Sequence, residues 1–486
     1  MHEFHMDINA GRDSTPAVPL DDTPFRIAIL GDFTGRHSRG AEESGAALAR
    51  RPAWPVDRDD VDLVIREMGV ALHLRLEPGG PPLAIRFESL DDFHPDRLYQ
   101  RLPLFQALRE LRERLANPAT FKAAAAELSG AAPPAPTPPQ GGGSLLGDIL
   151  DAAAPTDVEE VLADSGGDLH GFLQRIIKPH LVPNPDPRQG ELVAQVEAAA
   201  SATLRTILHA PAFRALESLW RGVDLVVRQL ETGPDLKVQL LDLSETELAG
   251  ALPAGGDPGA SPVFALLARD AQAAPWGLLV GAYTFTGSET EIERLAQLAA
   301  IAQTLRAPWV SAASTTFAGV GAEWGELSTW NAPSPAWQAV QRTALARSLG
   351  LVLPGFLARL PYGKGLEECD RLAFEELAPS GPDTLLLGNP ALIVAIVLGR
   401  SFAEHRWSLM RGVDPMVTGL PVGTVGRGLA ARAVGPGEAP LPVRAADALL
   451  ERGFMPLAPL KDTDQVRLVR LQSCASPMAP LAGRWG

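Results

Sequence analysis

GAAPPAPTPPQGGG, residues 130–143, draws only on Gly, Ala, Pro, Thr and Gln. Nothing in it can build a core. Its prolines favour extended polyproline geometry and Gly141, Gly142 and Gly143 add a flexible end, so it can span up to roughly 40 Å at ~3.1 Å per residue. The stretch reads as a linker over residues 129–144, and the fold follows from what stands on either side of it. Each flank carries the mixed strand and helix pattern of an α/β protein.

On the N-terminal side, residues 1–24 are polar and read as a loose arm. FRIAIL at 25–30 is a short apolar run suited to a buried strand, and Gly31 and Asp32 end it. Two further strands are expected at 70–76 and 83–87, joined by the turn formers EPGGPP. A helix follows, with Pro95 in its first turn and Leu98, Leu102, Phe105, Leu108, Leu111 and Leu115 at helical spacing. These elements make a small α/β module over 25–128.

On the C-terminal side, Ser144 can cap a short helix with Leu145, Leu146, Ile149 and Leu150 on one face. Pro155 stops it, and Thr156 with Glu159 makes a capping-box pattern for another, so residues 145–188 read as short tethered helices. Two long amphipathic helices are expected next. The first carries Leu192, Val196, Leu204 and Leu208; the second starts at Pro211 and carries Phe213, Leu216, Trp220, Val223, Val227 and Leu230. Together they suggest a helical hairpin. Strands at 237–243, 276–283 and 309–313 then alternate with helices at 245–252, 264–268 and 289–305, which implies a mainly parallel sheet with covering helices. Residues 353–360, Phe374 and 389–402 suggest a further α/β layer. The larger domain runs over 189–472, and residues 473–486, SCASPMAPLAGRWG, read as a frayed tail.

The 486 residues, 46% hydrophobic, suffice for several cores, and a formal net charge of -15 argues against generic nucleic-acid or anionic-membrane binding. The N-terminus lacks a basic region followed by an apolar one, and no apolar run is long enough to span a bilayer, so a cytoplasmic location is expected. Only Cys369 and Cys474 are present, too few for a disulfide framework and without zinc-site spacing.

Chemistry-bearing patterns are incomplete. ILGDFTGR at 29–36 lacks both G-x-G-x-x-G and a terminal Lys-Ser/Thr, so it reads as a strand exit with a turn; Tyr362-Gly363-Lys364-Gly365 is a loop for the same reason. The histidines show no H-E-x-x-H spacing, and His209 before Pro211 reads as a helix-junction residue. There is no G-x-S-x-G, and neither cysteine has a His nearby in sequence in a recognisable context. The sequence therefore indicates no catalytic residue, no metal and no cofactor. Glu217 and Arg221, four apart, can pair along their helix or join a polar network beneath Trp220. The Leu145–Leu150 stripe hangs from a tether and suits helix-in-groove docking, with packing on the downstream domain as its alternative.

Several longer stretches resemble a known family. PFRIAILGDFTGR (24–36), RPAWPVDRDDVDLVIREMG (51–69) and FESLDDFHPDRLYQRLPLFQALRELRERL (87–115) resemble the small contractile-sheath subunit of the bacterial type VI secretion system, TssB or VipA. LHAPAFRALESLWRGVDLVV (208–227), LPGFLARLPYG (353–363), FEEL (374–377), RGVDPMVTGLPVGT (411–424) and AADALLERGFMPLAPLKDTDQVRLVR (445–470) resemble the large subunit, TssC or VipB. The resemblance marks Phe213, Leu216, Glu217, Trp220, Arg221, Gly222, Arg359, Leu360, Pro361, Tyr362 and Gly363 as family motif positions with a structural role.

The resemblance implies a fused small/large protomer of a helical sheath around an Hcp tube, contacting other sheath subunits and a baseplate. It implies no enzyme activity. SLLGDIL (144–150) resembles the helix that a ClpV-type AAA+ unfoldase engages, which makes Leu145, Leu146, Ile149 and Leu150 its candidate contacts. The large-subunit likeness stops near Gln472, short of the helical region and terminal strands expected from the family, so the large half reads as C-terminally truncated. Two other readings stay open at this stage. One is a sheath-related accessory, cap or baseplate adaptor that does not polymerise, and the other is an enzyme with a site unrecognised in the α/β regions.

Overall fold

The computed structural model describes residues 22–129, 189–377, 385–425 and 432–485, except single positions at 118, 273 and 322. The linker and the expected short helices, including Leu145, Leu146, Ile149 and Leu150, lie outside the described residues. In chain order the N-terminal half supplies β1 (Phe25–Gly31), β2 (Trp54–Val56), α1 (Val61–Met68), the antiparallel pair β3 (Ala71–Leu74) and β4 (Leu83–Arg86), α2 (Pro95–Arg101), α3 (Pro103–Ala116) and α4 (Phe121–Ser129). The C-terminal half begins with α5 (Gln189–Leu208), α6 (Pro211–Gln229), β5 (Leu236–Asp242), α7 (Glu245–Ala251), α8 (Pro262–Ala271), β6 (Leu278–Phe285), α9 (Glu289–Leu305) and β7 (Trp309–Ala313). It continues with β8 (Leu349–Leu353), β9 (Phe356–Arg359), β10 (Leu386–Gly388), α10 (Ala391–His405), β11 (Met416–Val417), β12 (Gly423–Val425), β13 (Arg432–Val434), α11 (Val443–Glu451), β14 (Met455–Pro459) and β15 (Val466–Leu468).

Nine of these strands form one sheet in the order β11-β15-β14-β8-β7-β6-β1-β5-β2. The run from β14 through β8, β7, β6 and β1 to β5 is parallel, while β2 at one edge and β15 and β11 at the other are antiparallel. The decisive strand is β1. It belongs to the N-terminal half, yet it is inserted between two strands of the C-terminal half, pairing Phe25 with Leu236 on one side and Ile27 with Leu278 on the other. All seven of its residues are buried. Ile27 and Ile29 face one core, Ala28 and Leu30 the other. A strand apolar on both faces needs two flanking strands and two covering layers, and the N-terminal half supplies neither in full. Where the linker suggested two separable modules, the halves share one sheet.

The covering layers follow from composition. On one face α10 is buried almost all round, with Ala391 through Gly399 inaccessible, because it lies between the sheet and α6. On the other face α8, α9 and α11 present Leu266, Leu295, Leu298 and Leu449 to Leu30, Leu279 and Leu351. Three expectations are corrected. The helix expected from Pro95 is broken at Leu102, which takes φ -76 and ψ 128 because Pro103 disfavours helical backbone in the residue before it. The two helices α5 and α6 do not pack as a hairpin: α5 lies along α3, while α6 lies on α10, β10 and the N-terminal half. The C-terminal segment is not frayed. Cys474 and Leu481 are buried, Trp485 packs on Phe25 with ring centroids 6.4 Å apart, and the Cys474 and Ala482 N–H groups donate to the Leu349 and Arg347 carbonyls.

Candidate functional site

The densest set of functional-type side chains lies on α6, and its helical spacing sends successive residues to different partners. Phe213 and Trp220 face the N-terminal half. Phe213 meets Phe93 edge-on at 5.6 Å, and Trp220 meets Phe33 at 5.4 Å while its Nε1–H donates to the Phe33 carbonyl at 3.0 Å. Leu216 is buried in the same core. Gly222 faces α10, where a Cβ would stand 2.4 Å from Leu392 Cδ1, so glycine sets how closely the two helices approach.

Glu217 and Arg221 point into a buried polar network with β9 and the loop after it. Arg359, at the end of β9, is 3% exposed and bridges two carboxylates of 0% and 2% exposure, Glu217 and Glu376. Its Nε donates to Glu217 Oε1 at 2.7 Å, and its Nη1 and Nη2 donate to Glu376 at 2.6 and 3.0 Å. Arg221 donates to Glu217 Oε1 at 2.8 Å and to the Tyr362 hydroxyl at 2.9 Å. The Arg359 guanidinium also stacks over the Tyr362 ring at 4.2 Å. Leu360 accepts from Arg359 through its carbonyl at 3.0 Å, Pro361 is buried beside it, and a Cβ on Gly363 would run into the Glu375 carboxylate.

Two arginines and two carboxylates balance in charge, and the geometry is bidentate on both carboxylates, which is the condition for burying such groups. Burial works to raise the Glu376 carboxyl. Against it act His209, whose Nε2 stands 3.7 Å from Oε1, Arg359, and the Tyr362 N–H; together they hold it down at about 2. Burial and Glu217 push the Tyr362 hydroxyl above its usual range.

A second polar seam joins the strand exits of β1 and β5. Asp242 accepts from Thr34 N–H at 3.1 Å, Thr34 Oγ1 at 2.8 Å and Arg36 Nε at 2.6 Å. Arg51 donates to the Asp242 carbonyl at 2.6 Å and reaches Glu247 with both terminal nitrogens. Glu247 in turn closes the capping box of α7 with Ser244. Within 29–36, the Asp32 carboxylate accepts the Arg36 and His37 N–H groups at 2.6 and 3.0 Å, so the segment is a tied-down strand exit. A third link is Arg26, whose guanidinium lies 3.9 Å from the Trp276 ring centroid and donates to Gln239 at 2.8 Å.

The structure thus brings together Glu217, Arg221, Arg359, Leu360, Pro361 and Tyr362, and places Phe213 and Trp220 on the seam between the halves. Sequence reasoning missed Glu376 and Phe33 as partners, and the second seam through Arg51, Asp242 and Glu247. Their separations along the chain, such as 142 residues for Glu217 and Arg359, carry no spacing signal.

Comparison with known proteins agrees with this division. Residues 190–475 match the VipB family, tail sheath N-terminal domain, and residues 14–127 match the type VI secretion system VipA family. The chain is 34% identical over 308 residues to the type VI secretion system sheath protein TssC1 of Pseudomonas aeruginosa, a match that covers 59% of this chain and 61% of that protein. It is 29% identical over 103 residues to the sheath protein TssB1 of the same organism, covering 20% of this chain and 58% of that protein. The chain therefore spans about three fifths of the length of each of these relatives. With the VipB region occupying more than half of the chain and the VipA region preceding it, the chain belongs to the type VI secretion system sheath family, as a fusion of its small and large subunits.

Proposed function

We propose that the chain is a non-enzymatic structural protomer of a type VI contractile sheath, working in the cytoplasm around an Hcp tube. The observation that carries this reading is the insertion of β1 between β5 and β6, which makes one continuous sheet out of the small-subunit-like and large-subunit-like halves. Fusion holds the two at equal stoichiometry and replaces a bimolecular docking step by an intramolecular one. The charge-balanced Glu217, Arg221, Arg359 and Glu376 are spent on holding α6, β9 and the loop after it together. Other sheath subunits and a baseplate are its further partners, and the Leu145, Leu146, Ile149 and Leu150 stripe is the element that a ClpV-type unfoldase would engage.

The test is assembly. Purified chain, alone and with Hcp, is viewed by negative-stain microscopy. Tubes or stacked rings are expected, and particles that stay monomeric in the presence of Hcp would contradict the proposal.

A further inference from the structure

Where the small-subunit-like half meets the loop that follows the Arg359 network, three metal-ligating side chains of different chemistry converge. His94 and Asp96 stand at the start of α2 in the N-terminal half, and Cys369 lies in the loop after β9 in the C-terminal half. One imidazole nitrogen, one carboxylate oxygen and the thiol sulfur all lie within 4.8 Å of one another, and all three residues are half-buried. It is the one such group among the described residues.

We propose that His94, Asp96 and Cys369 form a zinc-class site that clips the Cys369 loop of the large-subunit-like half to α2 of the small-subunit-like half. A donor set of one imidazole, one carboxylate and one thiolate suits Zn²⁺, with water as fourth ligand; thiolate and imidazole disfavour Mg²⁺ and Ca²⁺. In a tetrahedral zinc site ligand atoms stand about 3.4–3.6 Å apart, so side-chain rotations of about 1 Å close the present triangle.

The surroundings already hold two of the ligands. The Asp96 carboxylate accepts the N–H groups of Asp370 and Arg371 at 2.8 and 3.1 Å, which fixes it beside the residue following Cys369 and leaves lone pairs for a cation. The His94 ring is braced edge-on against Tyr362 with centroids 4.8 Å apart. Its Nδ1 is turned inward, accepting the Asp96 N–H at 3.1 Å and standing 3.9 Å from the Asp96 carboxylate. A bound cation takes the place of that long capping bond, and the thiol gives up its proton to solvent on ligation. The resulting crosslink joins residues 273 positions apart, Asp96 and Cys369, across the seam between the halves.

The test uses the untagged full-length chain titrated with Co²⁺ as a spectroscopic stand-in, then with Zn²⁺. Expected are one equivalent bound, a thiolate-to-cobalt charge-transfer band in the near ultraviolet that Zn²⁺ abolishes, and at least tenfold weaker binding in Cys369→Ser. The Cys474→Ser variant should keep the band, since that thiol is fully buried elsewhere. Absence of a thiolate band in the unmodified chain would overturn the proposal, as would a band that survives in Cys369→Ser. Should Cys369→Ser not fold, the Cys474→Ser variant decides: retention of the band supports Cys369 as the ligand and its loss refutes it.

Discussion

Trp220 donates its indole N–H to the carbonyl oxygen of Phe33 at 3.0 Å, so a helix of the large-subunit-like half caps the strand exit of the small-subunit-like half. Both residues are fully buried, and no water can replace the bond. Trp220→Phe keeps much of the ring contact but orphans the Phe33 carbonyl, at a cost of about 1–3 kcal/mol. Urea unfolding of this variant should show a lower midpoint and still a single transition. A separate early transition for the N-terminal half would mean that the two regions are energetically independent.

Arg359 is the hinge of the buried network, since its guanidinium alone reaches both Glu217 and Glu376. Arg359→Leu leaves two carboxylates buried without it, and removal of one partner from such a pair costs about 3–5 kcal/mol. Arg359→Lys should recover only part of that, because an ammonium cannot serve two carboxylates in the bidentate manner. Equal stability of the leucine variant and the parent by denaturant titration would refute a structural role for the network.

Acid should reach the same network through Glu376. Its folded-state carboxyl sits at about 2 against an ordinary 4.5, so the unfolded chain takes up the proton first. The stabilisation is complete above about pH 4.5 and is lost as pH falls towards 2, amounting to roughly 3 kcal/mol over that window. Unfolding free energy measured at about pH 6, 4 and 3 should fall more steeply for the parent than for Glu376→Gln. Parallel slopes would show that this carboxyl is not held down.

Much of the architecture is legible in residue order because it is written in local periodicity. FRIAIL announces a buried strand, and the Phe213 to Leu230 stripe announces a helix. What periodicity cannot convey is which distant strand accepts β1, since its neighbours begin at Leu236 and Leu278, more than 200 residues on. The same limit hid Glu376 and the His94, Asp96 and Cys369 convergence. The tail misled for a different reason. Small residues and prolines resemble a frayed end, but Leu481 and Trp485 are anchors whose pockets are formed by remote residues such as Phe25.

The stripe at Leu145, Leu146, Ile149 and Leu150 is testable without regard to the sheet. Leu146→Asp puts a charge into an apolar stripe and should weaken binding to the cognate ClpV-type unfoldase at least tenfold, with unchanged thermal unfolding of the chain. Equal affinities of variant and parent in a pull-down titration would remove this segment from consideration.

The shared core is tested most directly by cutting the chain between its halves. A protease site placed at Gly141–Gly143 allows the folded protein to be cleaved and then passed over a sizing column in physiological salt. Because β1 is flanked by β5 and β6 and tied by Trp220, Arg51 and Arg26, the two fragments should co-elute as one species and separate only in denaturant. Elution as two separate folded fragments would contradict a sheet built jointly by the small-subunit-like and large-subunit-like halves.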